Sequence, residues 1–311
     1  MNTKINKVAV IGAGAVGCFF GGMLARAGKD VTLLARERQV KAIKENGLHM
    51  DCLSFKETVA INVTSHKEDI STADLILCCV KSPDTDLAAK EVAPFIKKGA
   101  IVLSLQNGVD NAERLSKLLP HPIYPAVVYV ATSMVGDGQL KHFGRGELLI
   151  GDMEANPQAH ESLRAIAELF QGAGVPCEVS SSIKRELWLK FLVNCSYNAI
   201  SAIGQITYGE MVKQAEICQL LESLTKEFLL VAQHEGVNIS FEEAEAINQK
   251  IAVTMSGQRS STAQDLMKGK PTEIEFLNRL IVRKAQEFGV STPSHQAMYA
   301  LVKMFERQAV K

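Results

Sequence analysis

The chain lacks an excess of either charge. Its 311 residues hold 34 Lys and Arg against 34 Asp and Glu, so the formal net charge is zero. Non-specific affinity for a polyanion needs surplus cations, so a general nucleic-acid binder is excluded, whereas local charge for a small anion is not. A cysteine framework is missing too. The seven cysteines, at 18, 52, 78, 79, 177, 195 and 218, form no C-x-x-C pair, and Cys78 and Cys79 lie side by side in an apolar run. An odd set in mostly hydrophobic surroundings points to buried free thiols in a reducing cytoplasm. The seven histidines do not fall at metal-ligand spacings, so no metal is expected. Lys4 and Lys7 precede an uncharged stretch from Val8 to Ala25, which superficially resembles a signal peptide or a membrane span. Gly12, Gly14, Gly17, Gly21 and Gly22 interrupt it too often for a span. The expectation is a soluble protein with no targeting segment, no membrane partner and no nucleic-acid partner.

An apolar fraction of 47% with 22% charged residues excludes wholesale disorder. The length suggests about two domains. The first half alternates short apolar runs with helical patterns. Strands are predicted at Val8 to Ile11, Val31 to Ala35, Leu75 to Val80, Ile101 to Leu105 and Ile123 to Val130, with a helix from Ala15 to Ala27 after the first. Near-continuous apolar strands alternating with helices indicate a parallel sheet covered on both faces. Gly136-Asp137-Gly138 and Gly144-Arg145-Gly146 then punctuate short extended pieces as far as Ile150. A helix is read from about Gln158 to Phe170, and Cys177-Glu178-Val179 is a candidate last strand. From about Ile183 onward helical periodicity takes over. A boundary near Ser181 divides an α/β domain, residues 1–180, from an all-helical domain, residues 181–311.

Gly12-Ala13-Gly14-Ala15-Val16-Gly17 follows a predicted strand and opens a predicted helix. In that context the first glycine permits a tight turn and the second lets backbone approach a pyrophosphate. The third lets helix and strand pack, and the helix N-terminus offers free N–H groups to the anion. This is the Rossmann dinucleotide-binding pattern. An NAD enzyme usually presents Asp or Glu at the end of the second strand to the ribose 2′-OH. Here Arg36 stands there, with Arg38 close behind, and a cation suits the 2′-phosphate of NADP(H). Glu37 keeps an NAD reading open. Lys81 and Asn107 follow two further strands, at ends that face the same crevice of a doubly wound sheet. A solvated lysine and a turn asparagine are their plainer readings.

In the second half, Lys190, Asn194 and Asn198 are spaced four apart in an apolar segment and form one stripe of a helix. A lysine and two amides on such a helix need partners or a wet cavity, unless the stripe is the solvent face. Ser260-Ser261-Thr262-Ala263-Gln264-Asp265 and Pro271-Thr272-Glu273 make a second constellation. Pro271 and Thr272 read as a helix start with Glu273 in its first turn. Thr272 or Asp265 as a cap, and Glu273 as complement to a helix dipole, are the plainer readings.

Together these residues resemble the ketopantoate reductase family of NADPH-dependent 2-dehydropantoate 2-reductases. The carriers are Gly12-x-Gly14-x-x-Gly17, Arg36, Val80-Lys81-x-x-x-Thr85, Gln106-Asn107-Gly108, Leu187-Trp188-x-Lys190-x-x-x-Asn194-x-x-x-Asn198, Ser261-x-x-x-Asp265 and Thr272-Glu273-Ile274. The resemblance implies an α/β fold: a Rossmann domain followed by an all-helical domain, with the active site in a cleft between them. It makes Lys190 the general acid and Glu273 its partner. Lys81 and Asn107 would lie beside cofactor and substrate. Asn194, Asn198 and Ser261 would hold the hydroxyl and carboxylate groups of a small 2-oxo acid, and Asp265 would support the cleft. Three positions depart from the family pattern. Tyr208-Gly209-Glu210 replaces Asn-Gly-Glu, Asn278-Arg279 replaces Asn-Gly, and Pro293-Ser294-His295 replaces Pro-x-Asn. The alternatives are a reductase of another branched 2-oxo acid, motivated by Tyr208, and a non-catalytic NADPH-binding redox sensor, motivated by the thiols. The apolar helices of the second half could bury a homodimer interface or simply the domain's own core.

Overall fold

The computed structural model describes residues 4–154 and 156–309. The chain divides into two compact units after Ile183.

The first unit is built on β1 (Lys7–Ile11), α1 (Ala15–Arg26), β2 (Asp30–Leu34), α2 (Glu37–Asn46), β3 (Leu48–Asp51), β4 (Lys56–Val59), β5 (Asn62–Thr64), β6 (Leu75–Cys78), α3 (Thr85–Val92), β7 (Ile101–Ser104), α4 (Asn111–Ser116), β8 (Ile123–Gly136), β9 (Gln139–Ile150), α5 (Ala159–Gln171) and β10 (Cys177–Val179). Six strands run parallel in the order β5-β2-β1-β6-β7-β8. In order of appearance along the chain that is the 3-2-1-4-5-6 arrangement of a dinucleotide-binding sheet. β1 is the point where the order reverses, so the ends of β1 and β6 flank a crevice into which loops project.

Period-two alternation explains why β1 is buried on both faces. Val8 and Val10 join a core with Phe20 and Leu24 of α1. Ala9 and Ile11 face the other way, toward Ala89, Val92 and Leu115. Each fully buried Val, Leu, Ile or Phe contributes roughly 1.5–3 kcal/mol of transfer free energy, so these two faces dominate the stability of the sheet.

The sheet is mixed rather than wholly parallel, which corrects the expectation. β9 returns antiparallel to β8, and β4 is antiparallel to β3. β3 and β10 pair with opposite ends of β9. Gly136-Asp137-Gly138 is the turn of a long hairpin, with Gly138 at φ 65°. Gly144-Arg145-Gly146 does not end a strand: the pairing register slips between Tyr129 and Val130 while β9 continues. Arg145 sits at φ 61° inside that bulge, its guanidinium 4.1 Å from the centre of the Tyr129 ring. β3, β4 and β5 were not anticipated. They are three or four residues long and rich in polar side chains, so they carry little pattern of their own.

The second unit is helical: α6 (Ile183–Gly204), α7 (Tyr208–Met211), α8 (Ala215–His234), α9 (Phe241–Thr254), α10 (Ser261–Met267), α11 (Asn278–Phe288) and α12 (Pro293–Ala309). α6 is its axis. Trp188 and Phe191 stack edge-on with each other and pack on Phe228 of α8. Residues 271–273 do not begin a helix as expected. Thr272 is held by Glu306 of α12, at 2.9 Å through its backbone N–H and 2.5 Å through its hydroxyl, and only a single 3₁₀ turn, Ile274–Phe276, follows.

Candidate functional site

The glycine turn sits at the end of β1. Gly12 has φ 100°, and a Cβ there would meet the Val80 backbone nitrogen at 2.9 Å. A Cβ on Gly17 would lie 2.1 Å from the Gly12 carbonyl oxygen, so the third glycine lets α1 lie against the turn. Gly14 differs from both. It is the N-cap of α1, and a Cβ there would meet nothing within 4 Å. Being glycine, the N-cap has no side chain to cap α1. The first-turn N–H groups, from Ala15, Val16 and Gly17, have no partner four residues back within the helix, and they lie next to a bare α-carbon with open space around it. That arrangement fits a pyrophosphate, whose charge would be met by the helix N-terminus.

Arg36 follows β2 as the N-cap of α2. Its side chain is 92% exposed, and its guanidinium lies 3.7 Å from Asp84. Arg38 is committed elsewhere, 2.7 Å from Asp137 in the hairpin turn, and the Glu37 carboxylate accepts a hydrogen bond from Ser65. Arg38 and Glu37 thus have close partners, while Arg36 makes a long, solvated pair.

Lys81 and Asn107 lie on the loops after β6 and β7, and a buried polar network ties those loops together. The Asn107 carbonyl accepts from Asn111 Nδ2 at 2.6 Å and from Ser82 Oγ at 3.2 Å. Asn111 Nδ2 also donates to Ser82 Oγ at 3.2 Å, and Asn111 Oδ1 accepts from Thr85 Oγ1 at 3.1 Å. Gln106 donates to the Val80 carbonyl at 3.0 Å and to Thr85 at 2.6 Å. Ser82, Thr85, Gln106 and Asn111 are all buried. Such a network, fully paired, holds Lys81 and Asn107 at set positions. Asn111 was missed from sequence. Its signal was the spacing of four residues from Asn107 across the start of a helix.

In the helical unit, Lys190 and Asn194 are half-buried on α6 and Asn198 is buried. Asn198 Nδ2 donates to Asn194 Oδ1 at 3.4 Å. The Tyr208 hydroxyl donates to Asn198 Oδ1 at 3.1 Å. Ser260 caps α10, and Asp265 lies inside that helix rather than capping one: Ser260 Oγ accepts from the Ala263 N–H and donates to the Asn198 carbonyl, both at 3.0 Å. Ser261 is the first residue of α10 and is exposed, so it stands at the end of α10 that is pinned to Asn198. Glu273 is half-buried before the 3₁₀ turn. The backbone carbonyl of Asp265 accepts from Lys270 at 2.9 Å, closing the end of α10.

All seven cysteines are free thiols. Burial pushes the Cys18 and Cys78 thiols up to about 12 and Cys52 up to about 11, the last with help from Asp51. Thiols held protonated in this way are poor nucleophiles, whereas Cys218 is exposed, which corrects the expectation of burial at that position.

A switch-point turn built to receive a pyrophosphate, joined in one chain to a helix that arrays a cation and two amides along one side, defines a dinucleotide-dependent oxidoreductase. Similarity to known proteins narrows that class. Residues 8–155 match the ketopantoate reductase PanE/ApbA family, and residues 182–306 match its C-terminal domain. A 2-dehydropantoate 2-reductase of Archaeoglobus fulgidus is 32% identical over 303 residues, 97% of this chain and 99% of that protein. A crystal structure of a PanE/ApbA family ketopantoate reductase from Ralstonia eutropha JMP134 is 45% identical, with a TM-score of 0.91, covering 98% of this chain and all of that one. D-mandelate dehydrogenase, solved in ternary complex with NADH and anilino(oxo)acetate, also superposes with a TM-score of 0.91 at 26% identity, covering 98% of this chain and 100% of that one. The chain belongs to the ketopantoate reductase family.

Proposed function

We propose that this enzyme reduces 2-dehydropantoate to pantoate with NADPH, a step of pantothenate biosynthesis, and that it does so in the cytoplasm. The observation that carries the reading is the Lys190, Asn194 and Asn198 stripe of α6, with its two amides hydrogen-bonded to each other. When bound, the reduced nicotinamide supplies a hydride to the carbonyl carbon of the 2-oxo acid. Gly12, Gly14, Ala15, Val16 and Gly17 hold the pyrophosphate, and Arg36 holds the 2′-phosphate. Lys81 and Asn107 orient the groups beside them. Negative charge grows on the carbonyl oxygen as it is reduced, and cationic Lys190 stabilises that charge and donates the proton. Glu273 holds Lys190 in place. Asn194, Asn198 and Ser261 bind the hydroxyl and carboxylate of the acid.

A second reading is reduction of another 2-oxo acid with a branched or aromatic side chain. Tyr208 beside Asn198 favours it, as does the likeness to D-mandelate dehydrogenase. Loss of NADPH absorbance with 2-dehydropantoate, set against 2-oxoisovalerate and phenylglyoxylate, tests both. A kcat/KM highest for 2-dehydropantoate supports the first reading, and one highest for phenylglyoxylate supports the second. The buried, protonated thiols of Cys18, Cys52 and Cys78 give a redox sensor little support.

A further inference from the structure

Tyr208 stands where the family resemblance implies an asparagine, and its hydroxyl reaches a residue of the α6 stripe. Tyr208 is 5% exposed and Asn198 3% exposed. Among the described residues, the bond to Asn198 Oδ1 at 3.1 Å is the phenol's one hydrogen bond. A carboxamide can face a neighbour with its oxygen or its nitrogen. Were Asn198 reversed, its NH₂ would point at the phenol oxygen and the phenol proton would be stranded in the core, which is costly. The phenol proton thus fixes Asn198 with Oδ1 toward Tyr208 and Nδ2 toward Asn194 Oδ1. Asn194 is turned in consequence, so that its own NH₂ is the group left over. Among the described residues nothing accepts from it.

We propose that Tyr208 sets the hydrogen-bond polarity of the Asn198–Asn194 pair, so that the stripe meets its ligand with N–H donors and selects an anionic acceptor, the carboxylate of a 2-oxo acid. This deepens the function proposed above and rests on it. An asparagine at position 208 could donate or accept and would leave the polarity open, whereas tyrosine here only donates. Its placement is well supported. The Tyr208 ring packs edge-on against Tyr197 with centroids 5.2 Å apart. Its backbone N–H donates to the Gln258 carbonyl at 3.0 Å. Thr207 and Glu210 form a capping box that starts α7 at this residue. Burial, with Tyr197 alongside, also holds the phenol protonated well above neutral pH.

The test is Tyr208→Phe, which keeps the ring and removes only the donor. KM for 2-dehydropantoate should rise about tenfold, while kcat stays within about threefold and KM for NADPH within about twofold. Calorimetric titration of the NADP⁺-loaded enzyme with oxalate, the smallest dicarboxylate probe, should show a similar weakening. In an Asn198→Ala background, Tyr208→Phe should add nothing further, because the two act as one unit. If Tyr208→Phe does not fold, Asn198→Ala alone must weaken oxalate by the same factor. A wild type that binds oxalate but does not turn over 2-dehydropantoate overturns the proposed reaction and leaves the polarity argument standing. Unchanged KM and oxalate affinity in Tyr208→Phe, or no oxalate binding by the wild type, overturns the polarity argument itself.

Discussion

Asn278 of α11 donates its side-chain N–H to Nδ1 of His295 on α12 at 3.0 Å. Both positions belong to motifs that depart from the family pattern, and here they meet. The same Nδ2 donates to the Cys195 carbonyl of α6 at 2.9 Å. Because His295 Nδ1 accepts, its proton is on Nε2, which donates to the Leu224 carbonyl at 3.0 Å. A neutral imidazole therefore joins α8, α11 and α12 behind the helix that carries Lys190.

That neutrality makes stability depend on pH. Burial holds the His295 imidazole down at about 4, against an opposing pull from Glu227, whose carboxylate accepts the backbone N–H groups of Ser294 and His295. The unfolded chain takes up the proton near pH 6.5 and the folded chain only near 4. Stability is therefore fully present above about 6.5, falls as pH drops toward 4, and stops falling below that. By pH 5 the loss from this residue should be about 2 kcal/mol. Urea unfolding at pH 7 and pH 5 measures it, and His295→Asn should flatten the slope between them. Equal slopes in the two proteins would show that other groups carry the acid sensitivity.

Two glycines of the turn should fail in different ways. Gly17→Ala puts a Cβ 2.1 Å from the Gly12 carbonyl, so α1 must move, at a cost of about 3 kcal/mol or more. Gly14 has φ −84° and open space at its Cβ position, so Gly14→Ala should leave stability within about 0.5 kcal/mol. The added methyl would stand where a pyrophosphate approaches, and dinucleotide affinity should fall by about tenfold or more. Thermal melts paired with NADPH fluorescence titrations separate the two effects. Normal NADPH binding by Gly14→Ala would move the phosphate site elsewhere.

The glycine turn and the α6 stripe were legible because each is local: a run of six residues and a spacing of four. The parallel strands were legible as apolar runs. What escaped was set by distant partners. β3 exists because β9 offers it an edge and β4 because β3 does, and nothing in Leu48–Asp51 or Lys56–Val59 announces that. Gly144 and Gly146 looked like strand breakers but serve a bulge, where a Cβ on Gly146 would meet Phe19 of α1 at 3.1 Å. Ser260 caps α10, where Asp265 was read as a cap, because the backbone turns helical only after residue 260. The Tyr208 bond to Asn198 spans a helix end and a loop, so its importance could be suspected from the departure at 208 but its partner could not be named.

Asn111 links the loops that carry Lys81 and Asn107. Asn111→Leu keeps the volume roughly constant but removes one hydrogen-bond partner each from Thr85 Oγ1, Ser82 Oγ and the Asn107 carbonyl. Losing several buried hydrogen bonds at once should cost about 2–3 kcal/mol. If the network also positions the loops, KM for NADPH should rise by about tenfold even where the variant is fully folded. Urea titration and steady-state kinetics at 15 °C, well below any shifted melting point, keep the two effects apart.

Arg36 should decide between the two nicotinamide cofactors. Its pair with Asp84 is long and exposed, worth at most about 1 kcal/mol, so the guanidinium is free to turn toward a 2′-phosphate. Arg36→Ala should raise KM for NADPH by at least about tenfold more than KM for NADH, with little change in stability. An equal rise for both would sink the 2′-phosphate assignment and bring this chain nearer to the NADH-bound D-mandelate dehydrogenase it superposes on.

Lys190 is asked to do two things, to stabilise charge and to give a proton, and two substitutions separate them. Lys190→Ala removes both, and kcat should fall by on the order of 10²-fold or more. NADPH affinity should barely change, because the glycine turn and Arg36 belong to the other unit of the chain. Lys190→Arg keeps a cation on α6 but one that does not give up its proton near neutral pH. If charge alone matters, Lys190→Arg should recover most of the lost rate. If proton donation matters, KM for the oxo acid should recover while kcat stays low and a solvent deuterium isotope effect on single-turnover hydride transfer disappears. The second outcome is expected, because an alkoxide formed on reduction is a strong base and needs an acid within reach rather than a neighbour of opposite charge.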